Sequence, residues 1–212
     1  MAPNRKFRTP RKASKEIARG EIINLMTELQ RVEFEMFKCF VRVCEQLNLK
    51  YYLVCGSALG AVKYNGFIPW DDDLDVGLFR EDYELFLEKA PDLLPEHLFL
   101  QNYRTDPAFP QIFSKLRNSH TTYIEKSVAK LPINHGIYID IFPLDGYPTD
   151  PRAQRVLERK KASYRRQLAC VFDVPRSFRS RMLAAFNRLV GCHRRSNAIA
   201  AAYEALVSAY AV

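Results

Sequence analysis

The stretch from Tyr51 to Phe79, YYLVCGSALGAVKYNGFIPWDDDLDVGLF, limits what this chain can fold into more than any other. It places four carboxylates within five positions and between apolar flanks. They belong to Asp71, Asp72, Asp73 and Asp75. Like charges this close repel one another, and burying them is costly unless a cation balances them. Because no lysine or arginine occurs between positions 63 and 80, the stretch predicts a bound divalent metal ion.

Composition is that of a globular protein. The chain has 212 residues, of which 48% are hydrophobic and 12% aromatic, enough for a substantial core. No apolar run reaches the roughly 18 to 20 residues that cross a bilayer, and none follows the basic N-terminus as in a signal peptide. We therefore expect a cytoplasmic protein. The five cysteines are irregularly spaced and lack a Cys-x-x-Cys pair, which favours buried, reduced thiols over disulfides or a zinc site.

The net charge of +8 is unevenly distributed. Residues 1–20 carry seven basic residues against one acidic residue, and residues 151–195 carry thirteen against two. The segment between them, 21–150, has twelve basic and twenty acidic residues. Basic flanks around an acidic core suit an anionic partner, such as a membrane surface, a nucleic acid or an anionic glycan; the alternative is that they are solvated helix faces.

Hydrophobic periodicity predicts an α+β fold, in which a mixed β-sheet is flanked by helices. A disordered basic segment, 1–13, precedes a core of residues 14–150, and a basic helical lobe, 151–212, follows it. The predicted helices cover 14–48, 58–64, 80–90, 152–171, 178–190 and 196 to the end. The predicted strands cover 51–55, 74–79, 97–103 and 136–142, with a hairpin formed by 111–117 and 121–125.

Alternation along the predicted strands assigns faces to the carboxylates. Asp71, Asp73 and Asp75 share one face, and Gly77 continues that face with room for a ligand. Asp72 lies on the opposite face, in line with Leu74, Val76 and Leu78. In the strand GIYIDIF, Asp140 is a lone carboxylate among apolar residues, and it is either a further site residue or a cap for a neighbouring loop.

Three interpretations of the Asp-x-Asp-x-Asp pattern compete. An EF-hand calcium loop lacks its glycine at position six, which is Val76, and its glutamate at position twelve, which is Asp82. A solvated acidic turn is the second interpretation. The third is a Mg²⁺ site for transfer of a phosphorus-containing group, because Mg²⁺ takes hard oxygen ligands and shares its shell with phosphates. Gly56-Ser57, at the start of a short helix, would then hold those phosphates on helix amides.

Gly56-Ser57, Asp73-Leu74-Asp75-Val76 and Ile139-Asp140-Ile141 together resemble the nucleotidyltransferase superfamily. The segments GFIPWDDDLDVG, KLRNSHTTYIE and GIYIDIFPLDGYP, in this order within residues 29–148, resemble the LicD family. The resemblance implies a transferase that moves phosphocholine, or a related alcohol phosphate, from CDP-choline or another CDP-alcohol. The acceptor is a hydroxyl of a cell-surface glycan such as lipopolysaccharide or teichoic acid. It further implies Mg²⁺ as cofactor, an anionic glycan or glycolipid as partner, no nucleic acid, and peripheral contact of the basic segments with the inner face of the membrane.

Residue by residue, the resemblance implies a complete site. Asp71, Asp73 and Asp75 bind the metal; Asp73, Asp75 and Asp140 are catalytic; Gly56, Ser57, Lys115 and Arg117 bind the nucleotide phosphates. For Lys115 and Arg117, the alternative is that they are ordinary surface cations on a hairpin. The chain departs from the family at Cys55, where a small residue is common, and in its short C-terminal third. Two alternatives therefore stay open: a nucleotidyltransferase acting on a small hydroxylated substrate, and an inactive, truncated glycan-binding member.

Overall fold

The computed structural model describes residues 26–169 and 192–210, which fold as an α+β protein. Its α-helices are α1 (Glu28–Gln46), α2 (Cys55–Tyr64), α3 (Arg80–Lys89), α4 (Pro151–Ala169) and α5 (Cys192–Ser208), and a short 3-10 helix covers Ala90–Asp92. Its strands are β1 (Tyr51–Leu53), β2 (Asp75–Phe79), β3 (Leu98–Gln101), β4 (Ser114–Asn118) and β5 (Ile137–Leu144).

The five strands form one mixed sheet in the order β1-β2-β5-β4-β3. Strands β2 and β5 are parallel, while the other neighbouring pairs are antiparallel. The parallel pair at the centre places two strands that are more than fifty residues apart in the chain side by side. The predicted mixed sheet flanked by helices is confirmed.

One face of the sheet carries the hydrophobic core. Val76, Leu78, Ile139 and Ile141 are fully buried there, against Phe40 of α1 and Phe86 of α3. The rings of Phe40 and Phe86 lie 5.1 Å apart. Because side chains alternate along a strand, the residues between these positions point to the opposite face, which is where the carboxylates of β2 and β5 lie.

Helix α1 begins at a capping box. The Thr27 hydroxyl accepts a hydrogen bond from the N–H of Gln30, and the Gln30 side chain accepts one from the N–H of Thr27. This arrangement satisfies amides that the first turn of a helix otherwise leaves unpaired. The predicted helix over 14–48 is confirmed for 28–46; its first part, like the predicted disordered segment and the predicted helix over 178–190, lies outside the described residues.

Two local predictions were wrong. Residues 121–125 form no strand, and β4 pairs with β3 and β5 instead of closing a hairpin. Lys115 and Arg117 therefore lie inside the sheet and are 2% and 0% exposed, which rules out the surface-cation interpretation. Gly77 leaves no space for a ligand, since a Cβ there would meet the Leu144 side chain at 3.0 Å.

A buried ion network joins α5 to the sheet. The Arg80 guanidinium, which is 6% exposed, donates to both carboxylate oxygens of Asp145 at 2.7 and 2.8 Å. It also donates to Glu84 at 3.0 Å and to Glu204 of α5 at 3.2 Å. Arg104 reaches Glu204 at 2.7 Å from the loop after β3. Helix α5 is thus held near Asp145, the residue that follows β5, and β5 is the strand that carries Asp140.

Among the helices in the described part of the chain, none is both long enough and apolar enough to span a membrane. Cys39, Cys44 and Cys55 are free thiols. Cys44 is buried, as predicted, whereas Cys39 is partly buried and Cys55 is exposed; the side chains of Cys170 and Cys192 lie outside the described residues.

Candidate active site

Strands β2 and β5 bring Asp75 and Asp140 together. The two residues are partners in the parallel register, and they are 6% and 7% exposed. Backbone contacts fix both positions: the N–H of Asp75 donates to the Ser57 hydroxyl at 2.8 Å, and the N–H of Asp140 donates to the Leu74 carbonyl at 2.8 Å. The prediction that Asp140 lies on a strand beside the acidic one is confirmed; its catalytic role stays a prediction.

Asp71, Asp72 and Asp73 lie in the loop that leads into β2, which begins only at Asp75. Each offers a carboxylate oxygen, and these three oxygens lie within 4.8 Å of one another. The prediction that Asp72 faces away from the others was wrong, because the strand alternation on which it rests does not extend this far. The Tyr123 hydroxyl holds Asp72 in place, donating to its Oδ2 at 2.8 Å.

The first turn of α2 touches this loop. A Cβ at Gly56 would lie 2.7 Å from Oδ2 of Asp71, so only glycine lets that carboxylate approach the helix start so closely. Ser57, one residue on, is tied to β2 through the N–H of Asp75. Both residues therefore lie at the carboxylates, as predicted, and the positive end of the helix dipole favours an anion or a carboxylate at this position.

Lys115 and Arg117 lie on the same face of β4 but have different surroundings. The Lys115 ammonium is 2.8 Å from Oδ1 of Asp140 and 3.6 Å from Glu125. The Arg117 guanidinium donates to Gln101 at 2.7 Å, to the Gly136 carbonyl at 2.8 Å and to Glu125 at 3.1 Å. Lys115 thus belongs to the carboxylate site, whereas the contacts of Arg117 support the surrounding framework; a phosphate-binding role for either stays a prediction.

The sequence interpretation missed two residues of α1. Glu33 is 1% exposed, and its Oε2 has no hydrogen-bond partner among the described residues. The Gln30 amide donates to the carbonyls of Ile68 at 3.1 Å and Asp71 at 2.9 Å, which holds the acidic loop against the helix. A signal was present: Glu33 falls three residues before Met36 and seven before Phe40, on the apolar stripe of the helix, where an unpaired carboxylate is unexpected.

We use the term acidic cluster for the six carboxylates that converge here: Glu33, Asp71, Asp72, Asp73, Asp75 and Asp140. Burial, followed by the charges of its neighbours, raises the pKa of Glu33 to about 8 and that of Asp75 to about 7. Burial also raises the pKa of Asp140, to about 6, although Lys115 opposes the shift. The pKa of Asp73 is raised by burial and by Asp71. Carboxyl groups whose pKa values are raised in this way by burial and by neighbouring charges are typical of functional sites.

The donors of the acidic cluster fit a hard divalent cation. They are carboxylate oxygens of strands β2 and β5, of the loop that leads into β2 and of helix α1, and those of Asp71, Asp72 and Asp73 lie within 4.8 Å of one another. The unpartnered Oε2 of Glu33 is a further acceptor that a cation or its water shell would satisfy. Carboxylates and shared water are the ligands that Mg²⁺ prefers. Among the described residues, the carboxylates that lie close enough to share one ion are those of Asp71, Asp72 and Asp73. The assignment of Asp71, Asp73 and Asp75 as metal ligands stays a prediction.

A cavity of about 450 Å³ opens beside the cluster, between α1, α2 and the acidic loop. Its polar end is bordered by Ser57, Asp71 and Asp73. Its remaining wall is largely apolar and includes Phe34, Phe37 and Phe67. A ligand with a phosphate at the carboxylates and an apolar or aromatic portion would fit this combination.

The fold and the site define an α+β protein whose central strands, entrance loop and first helix assemble an acidic site suited to a cation. Residues 48–169 match the family model described as "LicD/FKTN/FKRP, nucleotidyltransferase domain". Because the match covers more than half of the 212 residues, the chain belongs to the LicD family.

Among curated proteins, the chain is similar to "Lipopolysaccharide cholinephosphotransferase LicD" of Haemophilus influenzae, with 29% identity over 136 residues. That alignment covers 64% of this chain and 50% of the relative, so the chain spans about half the length of that protein. It is also similar to the human and mouse proteins named "Ribitol 5-phosphate transferase FKRP", with 42% identity over 48 residues, or 23% of this chain and 10% of each relative.

Proposed function

We propose that this protein is a Mg²⁺-dependent transferase that moves an alcohol phosphate, phosphocholine in the first instance, from a CDP-alcohol to a hydroxyl of a cell-surface glycan. The observation that carries the proposal is the acidic cluster, which lies at the first turn of α2 with Asp75 and Asp140 paired across parallel strands. Membership of the LicD family supports it, since relatives are named as transferases of phosphocholine and of ribitol 5-phosphate. Lipopolysaccharide and teichoic acid are the acceptor classes to test.

The CDP-alcohol that donates the alcohol phosphate would bind across the first turn of α2. Its diphosphate would face the amides around Gly56 and the hydroxyl of Ser57, where the helix dipole favours negative charge. The rest of the donor would enter the cavity bordered by Ser57, Asp71 and Asp73. When bound at Asp71, Asp73 and Asp75, Mg²⁺ would neutralise charge on the diphosphate. Lys115 would stabilise the negative charge of Asp140, from which its ammonium is 2.8 Å away.

Transfer of the alcohol phosphate exchanges one phosphorus–oxygen bond for another. The acceptor oxygen forms a bond to the phosphorus that carries the alcohol, the bond from that phosphorus to the bridging oxygen breaks, and CMP leaves with the electron pair. The hydroxyl proton passes to a base. Asp140 suits this role, because a carboxyl with a pKa of about 6 is mostly ionised at pH 7 and still accepts a proton in the transition state.

Incubation of the protein with Mg²⁺, CDP-choline, CDP-ribitol and glycan acceptors tests the proposal. We expect release of CMP together with transfer of the alcohol phosphate to the glycan, and loss of both in Asp73→Asn. Asp92→Asn, at an exposed aspartate of the 3-10 helix, is the matched control and should keep full activity. Full activity in Asp73→Asn, with circular dichroism matching the parent, would overturn the proposal.

The alternatives give different products. A nucleotidyltransferase acting on a small hydroxylated substrate releases pyrophosphate from CTP and no CMP from a CDP-alcohol. An inactive glycan-binding member releases neither, and its binding survives the Asp73→Asn substitution. Product analysis and one binding measurement therefore separate all three functions.

A further inference from the structure

A second cavity, of about 470 Å³, is lined in part by Phe142, which shares a face of β5 with Asp140. It is bordered by Phe113 before β4, Phe142 of β5, Arg165 of α4 and Tyr203 of α5. We propose that this cavity binds a sugar residue of the glycan acceptor, next to the hydroxyl that receives the alcohol phosphate. The inference rests on the proposed transferase function and assigns the acceptor side of its site.

A chain of contacts places this cavity beside the acidic cluster. The Lys115 ammonium that pairs with Asp140 lies 5.7 Å from the ring centre of Phe113. The rings of Phe113 and Phe142 are 4.5 Å apart. Phe142 follows Asp140 by two residues on β5, so the two side chains share a face with their Cα atoms about 7 Å apart. A sugar resting on these rings would therefore have its hydroxyls near the Asp140 carboxylate.

The lining suits a saccharide. Phe113 and Phe142 are both half-buried, so each leaves part of its ring accessible. The faces of aromatic rings are electron-rich, and they attract the weakly polarised C–H groups on the apolar side of a sugar ring. The volume also falls within the range of about 300 to 1,000 Å³ that is typical of small-ligand sites.

The charge in the cavity favours an anionic glycan. Asp145 borders it, but both of its carboxylate oxygens accept hydrogen bonds from Arg80. The remaining charged side chain of the lining is that of Arg165, on an exposed position of α4. A guanidinium binds carboxylate or phosphate groups in a bidentate manner, which would select acceptors that carry such groups.

The geometry of transfer assigns the two cavities to different substrates. In phosphoryl transfer, the attacking and leaving oxygens lie roughly in line, on opposite sides of the phosphorus. The first cavity reaches Ser57 and Asp73 at the helix start, where the donor phosphates are proposed to bind. The second is approached from Asp140 through Lys115 and Phe113. Asp71 and Asp73 of the acidic cluster border the first cavity, and Asp140 is linked through Lys115 to Phe113 of the second, which suits entry of the acceptor hydroxyl from the second cavity.

The far wall of the second cavity is anchored to the sheet. Tyr203 precedes Glu204, whose carboxylate accepts hydrogen bonds from Arg80 and Arg104. Arg80 also binds Asp145, just beyond the end of β5. The network therefore ties α5 to the residue that follows β5, and this connection would help to position Tyr203 relative to Asp140, as a subsite for a specific acceptor requires.

Two substitutions test the inference. Phe142→Leu removes an aromatic ring and keeps an apolar side chain, and Arg165→Gln removes the charge. Their matched controls are Phe79→Leu, at an exposed aromatic outside the cavity, and Arg159→Gln, at an exposed position of the same helix. The probes are deacylated lipopolysaccharide oligosaccharide and isolated teichoic acid, and calorimetry measures their binding in the absence of any CDP-alcohol.

We expect at least one probe to bind, with a Kd at least fivefold weaker in Phe142→Leu and in Arg165→Gln and unchanged in both controls. In transfer assays, the acceptor KM should rise by a similar factor while the donor KM changes less than twofold. Absence of binding by both probes, or equal binding by the four variants, would overturn the inference.

The outcomes for the cavity and for the proposed function are distinguishable. If the protein releases CMP from a CDP-alcohol but binds the probes equally with and without Phe142 and Arg165, the cavity assignment fails and the transferase stands. If binding depends on these residues but no CDP-alcohol is turned over, the cavity is a glycan site and the transferase assignment fails.

Discussion

Glu33 shows how a single side chain reports on the site around it. Its carboxyl group lies on the buried stripe of α1, with one oxygen unpartnered among the described residues, and faces the charges of four aspartates. A glutamate exposed to solvent would keep its ordinary pKa, whereas burial and the neighbouring charges raise the pKa of Glu33 to about 8. At neutral pH and without a cation, it therefore carries a proton.

The Glu33 shift predicts a pH dependence of stability. Since the pKa rises from 4.5 to about 8 on folding, the folded state keeps a proton that the unfolded chain releases. The resulting stabilisation is complete below pH 4.5 and is lost as the pH rises through 8. In metal-free buffer, Glu33→Gln should flatten this decline and make the protein more stable than the parent at pH 8, by a few kcal/mol, given about 1.4 kcal/mol per pKa unit.

Urea unfolding between pH 5 and pH 8.5, in the presence of EDTA, measures the effect. Some slope should remain in Glu33→Gln, because Asp75 and Asp140 have raised pKa values and contribute with the same sign. Glu45→Gln, at an exposed position of the same helix, is the control and should follow the parent. A parent protein whose stability rises steadily from pH 5 to pH 8 would contradict this account of Glu33.

Gly56 offers a second test at the residue scale. Alanine is the better helix former by about 0.5 to 1 kcal/mol, so Gly56→Ala should leave the metal-free protein at least as stable. Its Cβ, however, would meet the Asp71 carboxylate at 2.7 Å and displace it. We expect Mg²⁺ or Mn²⁺ affinity, measured by calorimetry, to fall about tenfold, or about 1.4 kcal/mol.

Gly77→Ala provides the opposite result for comparison. There the new methyl group would meet the Leu144 side chain at 3.0 Å, in the packed part of the sheet. This variant should lose stability and keep its cation affinity. If Gly56→Ala binds the cation as the parent does, Asp71 is not a ligand.

At the scale of elements, the sequence is most informative where periodicity is strong. The helix over 28–46, both central strands and the position of Asp140 between core isoleucines follow from spacing alone. The prediction failed where the partner of a segment decides its conformation. Residues 121–125 have strand composition, but β5 occupies the edge of β4 that they would need. No local signal indicates that a distant strand takes that place.

The acidic loop shows the same limit within the site. Alternation correctly oriented Asp75, which belongs to β2, and misplaced Asp72, which precedes it. The loop conformation depends on contacts with α1 and with Tyr123, which are 41 and 51 residues away in the chain. The sequence interpretation thus found the carboxylates of the loop and strands but missed Glu33 and Gln30, which meet them only through tertiary packing.

The connection between α1 and the acidic loop gives a prediction at this scale. Gln30→Ala removes two hydrogen bonds to the partly buried carbonyls of Ile68 and Asp71, together with the capping bond that Gln30 accepts from the N–H of Thr27. Leaving such carbonyls unpaired costs about 1 to 3 kcal/mol. Because the loop also carries the predicted metal ligands, we expect cation affinity to fall as well as stability, measured by urea unfolding and calorimetry on the same samples.

Thr27→Ala separates the loop effect from helix capping. It removes the hydroxyl that caps α1, at a cost of about 1 kcal/mol, but keeps the amide contacts of Gln30 with the loop. Its cation affinity should therefore match the parent. Equal loss of affinity in Thr27→Ala and Gln30→Ala would mean that general destabilisation, and not the position of the loop, accounts for the change.

At the scale of the whole molecule, the sheet order concentrates negative charge. Pairing β2 with β5 places Asp75 beside Asp140, and packing α1 on the same strands adds Glu33. Lys115 balances part of this charge. The basic residues of the C-terminal third lie on α4 and in the sequence after it. The contacts that hold α5 against the rest of the fold are made by an acidic residue, Glu204, with Arg80 and Arg104. Because the negative charge is concentrated in one place, a cation bound at the acidic cluster would stabilise the folded chain.

That coupling predicts how the protein responds to Mg²⁺ at different pH values. Carboxyl groups must lose their protons to bind a cation, and the pKa values of Glu33, Asp75 and Asp140 lie between about 6 and 8. At pH 5.5, all three carboxyl groups are largely protonated and protons compete with Mg²⁺; at pH 8, Asp75 and Asp140 are largely ionised and the competition is much weaker. Since a ligand at 100 times its Kd stabilises the folded state by about 2.7 kcal/mol, the rise in Tm on adding Mg²⁺ should be several degrees larger at pH 8.

Differential scanning fluorimetry at both pH values, with EDTA as the reference, measures this difference. Asp73→Asn should abolish the Mg²⁺ response at either pH, and Asp92→Asn should keep it. By reciprocity, saturating Mg²⁺ should remove most of the decline in stability between pH 5 and pH 8, because the bound cation lowers the same pKa values that burial raises. A Mg²⁺ response that is equal at pH 5.5 and pH 8, or that survives in Asp73→Asn, would show that the cation binds outside the acidic cluster.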